Sequence, residues 1–108
     1  MKKQQPAMSN AFQMFMTDAP KRSQAWMTAI QGLDNASALD NKTEELAYLA
    51  VMAALRLESG VPFHTQMAKQ AGASRDEVIS VILVGLPAAG NGATQVLPAA
   101  LAAYDAGK

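Results

Sequence analysis

A ten-residue segment, 46–55, is apolar at every position except Tyr48. Its residues are mainly alanine, leucine and methionine, which favour an α-helix. Segment 78–84 is rich in branched aliphatic residues, and segment 93–104 is largely alanine with a few larger aliphatic side chains. A helix that is apolar on all sides has to be buried on all sides. The sequence therefore predicts an all-α protein whose central helices are enclosed by other helices.

Prolines and capping residues divide the chain into about six predicted helices. Pro20 suits the first turn of a helix, where its missing N–H is not needed. Segment 32–40 is interpreted as a connection, and Asn41 with Glu44 as the capping signal of the next helix. The six helices are expected after residue 9, after Pro20, at about 42–58, from Pro62 to about 71, from 75 to about 85 and at about 93–104.

The length of 108 residues suits a single domain, with residues 1–8 as a flexible tail. A chain of this size buries about 65% of its unfolded surface on folding. Three helices that are apolar all round are hard to enclose with three short amphipathic ones, which predicts a homo-oligomer built on the central helices. The alternative is that small alanine faces pack closely inside one subunit.

Composition excludes several classes of function. The chain has no cysteine, which rules out disulfides, thiolate nucleophiles and thiolate metal sites. Nine basic residues balance nine acidic ones, so no net charge favours nucleic acid or a membrane surface. The N-terminus stays polar after its lysines, which argues against a signal peptide and for a cytoplasmic protein. A single histidine with scattered carboxylates predicts no metal site, and no motif predicts a cofactor.

His64 is the one side chain that can move a proton near neutral pH. It lies on the apolar face of the predicted fourth helix, and periodicity alone favours a buried histidine with one hydrogen bond and no further role. Glu44 and Glu45 open the third helix, whose dipole favours acidic residues there. Because that helix is apolar all round, one of these carboxylates is expected to face protein, with His64 as a candidate partner.

Several short segments recur in the same order in one protein family. The first is segment 39–47, which reads LDNKTEELA, and the apolar helix follows it directly. The others are Phe63-His64, segment 71–74, which reads AGAS, and Glu77-Val78. The chain resembles the carboxymuconolactone decarboxylase family, which includes the AhpD alkylhydroperoxidase-like proteins. The resemblance covers about residues 11–105 and implies an all-helical fold that assembles as a homotrimer or homohexamer.

The redox branch of that family uses a glutamate, a Cys-x-x-Cys pair and a histidine. The resemblance puts the glutamate at Glu45 and the histidine at His64, while Leu57 and Gly60 stand at the cysteine positions. Thiol peroxidase and disulfide reductase activities are therefore excluded by chemistry. The decarboxylases of the family act on a small lactone acid without an organic cofactor and have polar residues in the turn before the histidine.

Two hypotheses follow. In the first, the protein is an enzyme in which Glu45 orients His64 and His64 acts as general acid or base in a decarboxylation or isomerisation. The substrate is then a small carboxylated molecule contacted by Arg56, Glu58 or Ser59. In the second, the protein is a non-catalytic oligomeric binding or structural protein, and the Glu45–His64 pair fixes helix packing.

Overall fold

The computed structural model describes residues 8–106, and these fold entirely into helices and connecting turns. Within this range six α-helices have nine or more residues, and one single-turn helix joins two of them. The all-α prediction is confirmed. The helices are α1 (Asn10–Asp18), α2 (Pro20–Ala36), α3 (Asn41–Leu55), α4 (Val61–Gln70), α5 (Arg75–Leu83), α6 (Leu86–Ala89) and α7 (Leu97–Asp105), with 3₁₀ segments at Glu58–Gly60 and Asn91–Val96. Residues 1–7 of the predicted tail lie outside the described residues.

The core is formed by α3, α4, α5 and α7. Helix α3 packs against α4 and α5, and α4 also packs against α7. Leu49 of α3 is completely buried, as are Val61 of α4 and Ile82 of α5. Buried alanines such as Ala53 and Ala100 let the helix backbones approach closely. The apolar segments singled out in the sequence thus form the centre of the domain.

Two helix ends differ from the prediction. Helix α2 continues through Gly32 to Ala36, because one glycine costs only about 1 kcal/mol in a helix whose other residues favour it. Helix α3 is capped by the Asp40 side chain rather than Asn41, and it ends at Leu55, not near residue 58. There Arg56 takes the left-handed conformation, with φ +59°, and the Leu57 N–H bonds the Met52 carbonyl at 2.9 Å.

The last helix begins at Leu97 instead of residue 93. Pro98 has no N–H to donate to the Thr94 carbonyl, so the preceding residues form a 3₁₀ segment. The capping box of α5 is as predicted, with Ser74 accepting from the Glu77 N–H and Glu77 accepting from the Ser74 N–H.

Helices α1 and α2 form a hairpin that packs mainly on itself. Of the 17 residues of α2 only Ser23 is buried, while Trp26 is 53% and Leu33 is 68% exposed. The hairpin meets the rest of the domain near Asp34, which accepts a hydrogen bond from Tyr48 of α3. Val51 and Leu55 on α3 are also exposed. Among residues 8–106, no helix is long and apolar enough to cross a membrane.

Candidate functional site

Glu45 and His64 are in direct contact. The Nδ1 atom of His64 lies 2.7 Å from the Oε1 atom of Glu45, and the two side chains are largely but not completely buried, His64 at 29% and Glu45 at 18% exposed. Glu45 lies near the start of α3 and His64 in the first turn of α4. The contact therefore joins the N-terminal parts of two neighbouring helices.

The turn between α3 and α4 produces this contact. Arg56 stops α3, the 3₁₀ segment Glu58–Gly60 reverses the chain, and Pro62 lies in the first turn of α4, where it needs no N–H partner. A Cβ atom placed on Gly60 would lie 3.0 Å from the Met52 sulfur, so the turn passes tightly over α3. This close passage brings His64 back alongside Glu45.

Two aromatic rings pack against the imidazole. The Tyr48 ring lies 5.2 Å from the His64 ring at 67°, and the Phe63 ring lies 5.2 Å away at 90°, both in edge-to-face geometry. Together with the bond to Glu45, these contacts restrict rotation of the imidazole about its side-chain bonds. The ring is therefore held in one orientation before any ligand arrives.

The bond to Glu45 also defines the two nitrogens of His64. A carboxylate accepts hydrogen bonds, so Nδ1 carries the proton that it donates to Glu45. In the neutral ring, Nε2 then has a lone pair. No group within residues 8–106 forms a hydrogen bond with Nε2. This nitrogen is consequently available to accept a proton from another molecule.

A second polar group lies next to this pair and was not predicted from the sequence. The Tyr48 hydroxyl lies 2.9 Å from Glu44 Oε2 and 3.2 Å from Asp34 Oδ1. One hydroxyl proton cannot serve both carboxylates fully, so the two carboxylates compete for it. The helical spacing of Glu44 and Tyr48 was the available signal, whereas Asp34 lay in a segment interpreted as a connection.

The pKa values in this cluster reflect the contacts between its two carboxyl groups and the Tyr48 hydroxyl. The pKa of Asp34 is raised, chiefly by its hydrogen bond with Glu44, and the pKa of Glu44 is lowered, chiefly by the hydrogen bond from Asp34. Burial, followed by the hydrogen bond to Glu44, raises the pKa of the Tyr48 hydroxyl. Tyr48 therefore remains a neutral donor.

A cavity of about 330 Å³ opens beside His64, between the α1–α2 hairpin and helices α3 and α4. This volume suits a small organic molecule. Most of the lining is apolar and comes from Met8, Phe12, Met27, Ile30 and Phe63. The polar part of the lining consists of Ser9, Asp34, Glu45, Tyr48 and His64.

The three residues expected to bind substrate do not line this cavity. Arg56, Glu58 and Ser59 are exposed at the turn after α3, of which only Gly60 reaches the lining. The Arg56 guanidinium lies against Gly92, where an added Cβ atom would overlap it. The structure therefore brings together Glu45 and His64 but not Arg56, Glu58 and Ser59 with them.

Among residues 8–106, no group of three His, Asp or Glu side chains is arranged to hold a metal ion.

The chain was also compared with known proteins. The model of the carboxymuconolactone decarboxylase family matches residues 20–105, from the start of α2 to the end of α7. Searches of curated proteins and of solved structures gave no significant match. The family model spans well over half of the sequence, and the chain therefore belongs to the carboxymuconolactone decarboxylase family.

Proposed function

We propose that the protein is a cofactor-independent acid–base catalyst in which His64 moves a proton on a small molecule in the adjacent cavity. The observation that carries this proposal is the combination of a 2.7 Å Glu45–His64 bond with a cavity of about 330 Å³ at the same histidine. A general base needs to reach its substrate and to keep the correct tautomer. The cavity supplies access, and Glu45 fixes the tautomer.

The lining favours isomerisation over decarboxylation. A decarboxylase has to bind a substrate carboxylate, and Arg or Lys normally supplies the partner. No Lys or Arg is among the described residues that line the cavity, whereas two carboxyl groups are. In an isomerisation of an unsaturated lactone, His64 Nε2 removes a proton from the α-carbon, and the imidazolium returns it to the γ-carbon. One group then serves as base and acid in turn, and the electron pair moves within the substrate.

Tyr48 is the second group suited to this reaction. Its ring packs on His64, and the residue lies on the cavity lining. Removal of an α-proton places negative charge on the carbonyl oxygen, which a hydroxyl donor stabilises. In this role Tyr48 turns its proton from Glu44 toward the substrate oxygen.

A β,γ-unsaturated lactone such as α-angelica lactone tests the proposal, because its conjugated isomer absorbs ultraviolet light at longer wavelengths. Wild type is expected to accelerate the isomerisation at least about 100-fold over His64→Gln, within the usual range for a positioned general base. Glu45→Gln is expected to retain binding but lose part of the rate. Equal rates for wild type and His64→Gln, with both variants folded, would reject the proposal.

The alternative is that the pair only crosslinks α3 and α4 and that the family fold is kept as a binding or structural protein. The same bond favours this role, since it joins two helices through largely buried side chains. In that case His64→Gln lowers stability, and wild type shows saturable binding without turnover. We also propose that the exposed apolar residues of α3, Val51 and Leu55, contact another copy of the chain.

A further inference from the structure

The charges around the cavity are one-sided. Asp34 and Glu45 contribute carboxyl groups to the lining, and Glu44, outside the lining, accepts a hydrogen bond from Tyr48. Among the described residues of the lining, the only group able to become a cation is His64, and its Nδ1 atom is already bonded to Glu45. With a neutral imidazole the site is therefore net negative.

The lysines and arginines in the described part of the chain are positioned elsewhere. Lys42 pairs with Glu77 at 3.0 Å, Arg75 pairs with Asp105 at 3.0 Å, and Lys69 donates to the Tyr104 carbonyl at 2.7 Å. The other three, Lys21, Arg22 and Arg56, are exposed and do not line the cavity. A negatively charged ligand would thus find carboxylates without a compensating cation.

The rest of the lining favours a compact apolar molecule. Phe12 and Phe63 provide aromatic surface, and Met27 and Ile30 provide aliphatic surface. Of the polar residues in the lining, Tyr48 and His64 are the two whose rings pack together, 5.2 Å apart. A ligand that fits has one polar end for these two groups and an apolar body for the remainder.

We propose that the cavity prefers an uncharged, mainly apolar molecule with a single carbonyl or hydroxyl end over a carboxylate of the same size. This inference rests on the proposed function, since it names the substrate class of the same site. It changes the expectation drawn from the family resemblance, which implied a carboxylated substrate. The discriminating groups are Asp34 and Glu45, through repulsion of a second carboxylate at short range.

Two probes that share a benzene ring and differ in charge test the inference: neutral acetophenone and anionic benzoate. His64 is the only histidine in the chain, so its imidazole resonances in NMR report binding at one site without assignment. Acetophenone is expected to shift these resonances saturably, and benzoate is expected to bind at least about fivefold more weakly. Asp34→Asn is expected to narrow this difference, while Asp76→Asn, which removes a carboxylate on α5 away from the cavity, leaves it unchanged.

Benzoate binding as tightly as acetophenone would overturn the inference, as would the absence of any shift with either probe. These binding results are separate from the rate of lactone isomerisation. If benzoate binds preferentially and isomerase activity is lost in His64→Gln, the proposed substrate class is refuted and the proposed function is supported. Preferential acetophenone binding without any catalysis would keep the selectivity and remove the proposed function.

Discussion

The bond between Glu45 and His64 has a measurable energetic consequence in a double-mutant cycle. The cycle consists of wild type, Glu45→Ala, His64→Ala and the double variant. A hydrogen bond to a charged group contributes about 1.5–3 kcal/mol when buried, and exposed pairs contribute about 0.2–1 kcal/mol. The bond is 2.7 Å long and its side chains are 29% and 18% exposed, so we expect a coupling free energy of about 1–2 kcal/mol.

The assay is urea unfolding followed by circular dichroism at one pH and one protein concentration, because association would otherwise change the apparent stability. The cycle cancels the helix propensity that alanine adds at position 45 and the packing of the His64 ring on its aromatic neighbours. A second cycle with Glu58→Ala in place of Glu45→Ala is the control. Glu58 is exposed in the turn between α3 and α4 and makes no bond to His64. A Glu45–His64 coupling below about 0.3 kcal/mol would refute the reasoning.

Three further predictions concern stability and its dependence on pH. Leu49→Ala is expected to lower the free energy of unfolding by about 2–5 kcal/mol, because Leu49 is completely buried. The control, Leu33→Ala, is expected to change this free energy by less than about 0.5 kcal/mol, because Leu33 is 68% exposed. Gly90→Ala is expected to cost about 1–3 kcal/mol in the same unfolding assay, because Gly90 has φ +86° and ψ −179°, which only glycine adopts readily. The folded-state pKa of Glu77 is lowered, first by the Ser74 N–H and then by Lys42, so its stabilising effect is present above its ordinary pKa and is lost as pH falls through the lowered value. An acid unfolding titration is therefore expected to be flatter for Glu77→Gln than for wild type; identical curves would contradict this.

The identity of the long helices followed from the sequence because the apolar segments and the caps indicated the same elements. The capping box at Ser74 and the proline starts at Pro20 and Pro62 are local signals that do not depend on tertiary packing. The ends of α2 and α3 were predicted incorrectly, because the residue types there do not indicate where each helix stops. Gly32 was interpreted as a break although its neighbours sustain the helix, and Arg56 stops α3 in a conformation that its residue type does not signal.

The candidate site was only partly predictable. The contact between Glu45 and His64 was predictable, because the family resemblance relates these two positions across the turn between α3 and α4. Asp34 reached the site only because α2 runs further than predicted and places it near Tyr48. The cavity itself depends on how the α1–α2 hairpin packs over α3 and α4, and no local pattern encodes that packing.

The substrate-binding role of Arg56, Glu58 and Ser59 stays a prediction, as does the assembly into a trimer or hexamer. Both predictions concern the exposed surface at the end of α3 and in the turn that follows it, where Leu55 is 61% and Leu57 is 51% exposed. Sedimentation of wild type and of Leu55→Asp would establish whether this surface associates.

The most direct test of the account is whether His64 exchanges a proton with a molecule in the cavity. Acetophenone incubated with the protein in D₂O incorporates deuterium into its methyl group only when a base removes a proton from that carbon, and NMR measures the rate. We expect incorporation at least about tenfold faster with wild type than with an equal concentration of folded His64→Gln. Equal rates for the two proteins would show that the Glu45–His64 pair does not act as an acid–base device.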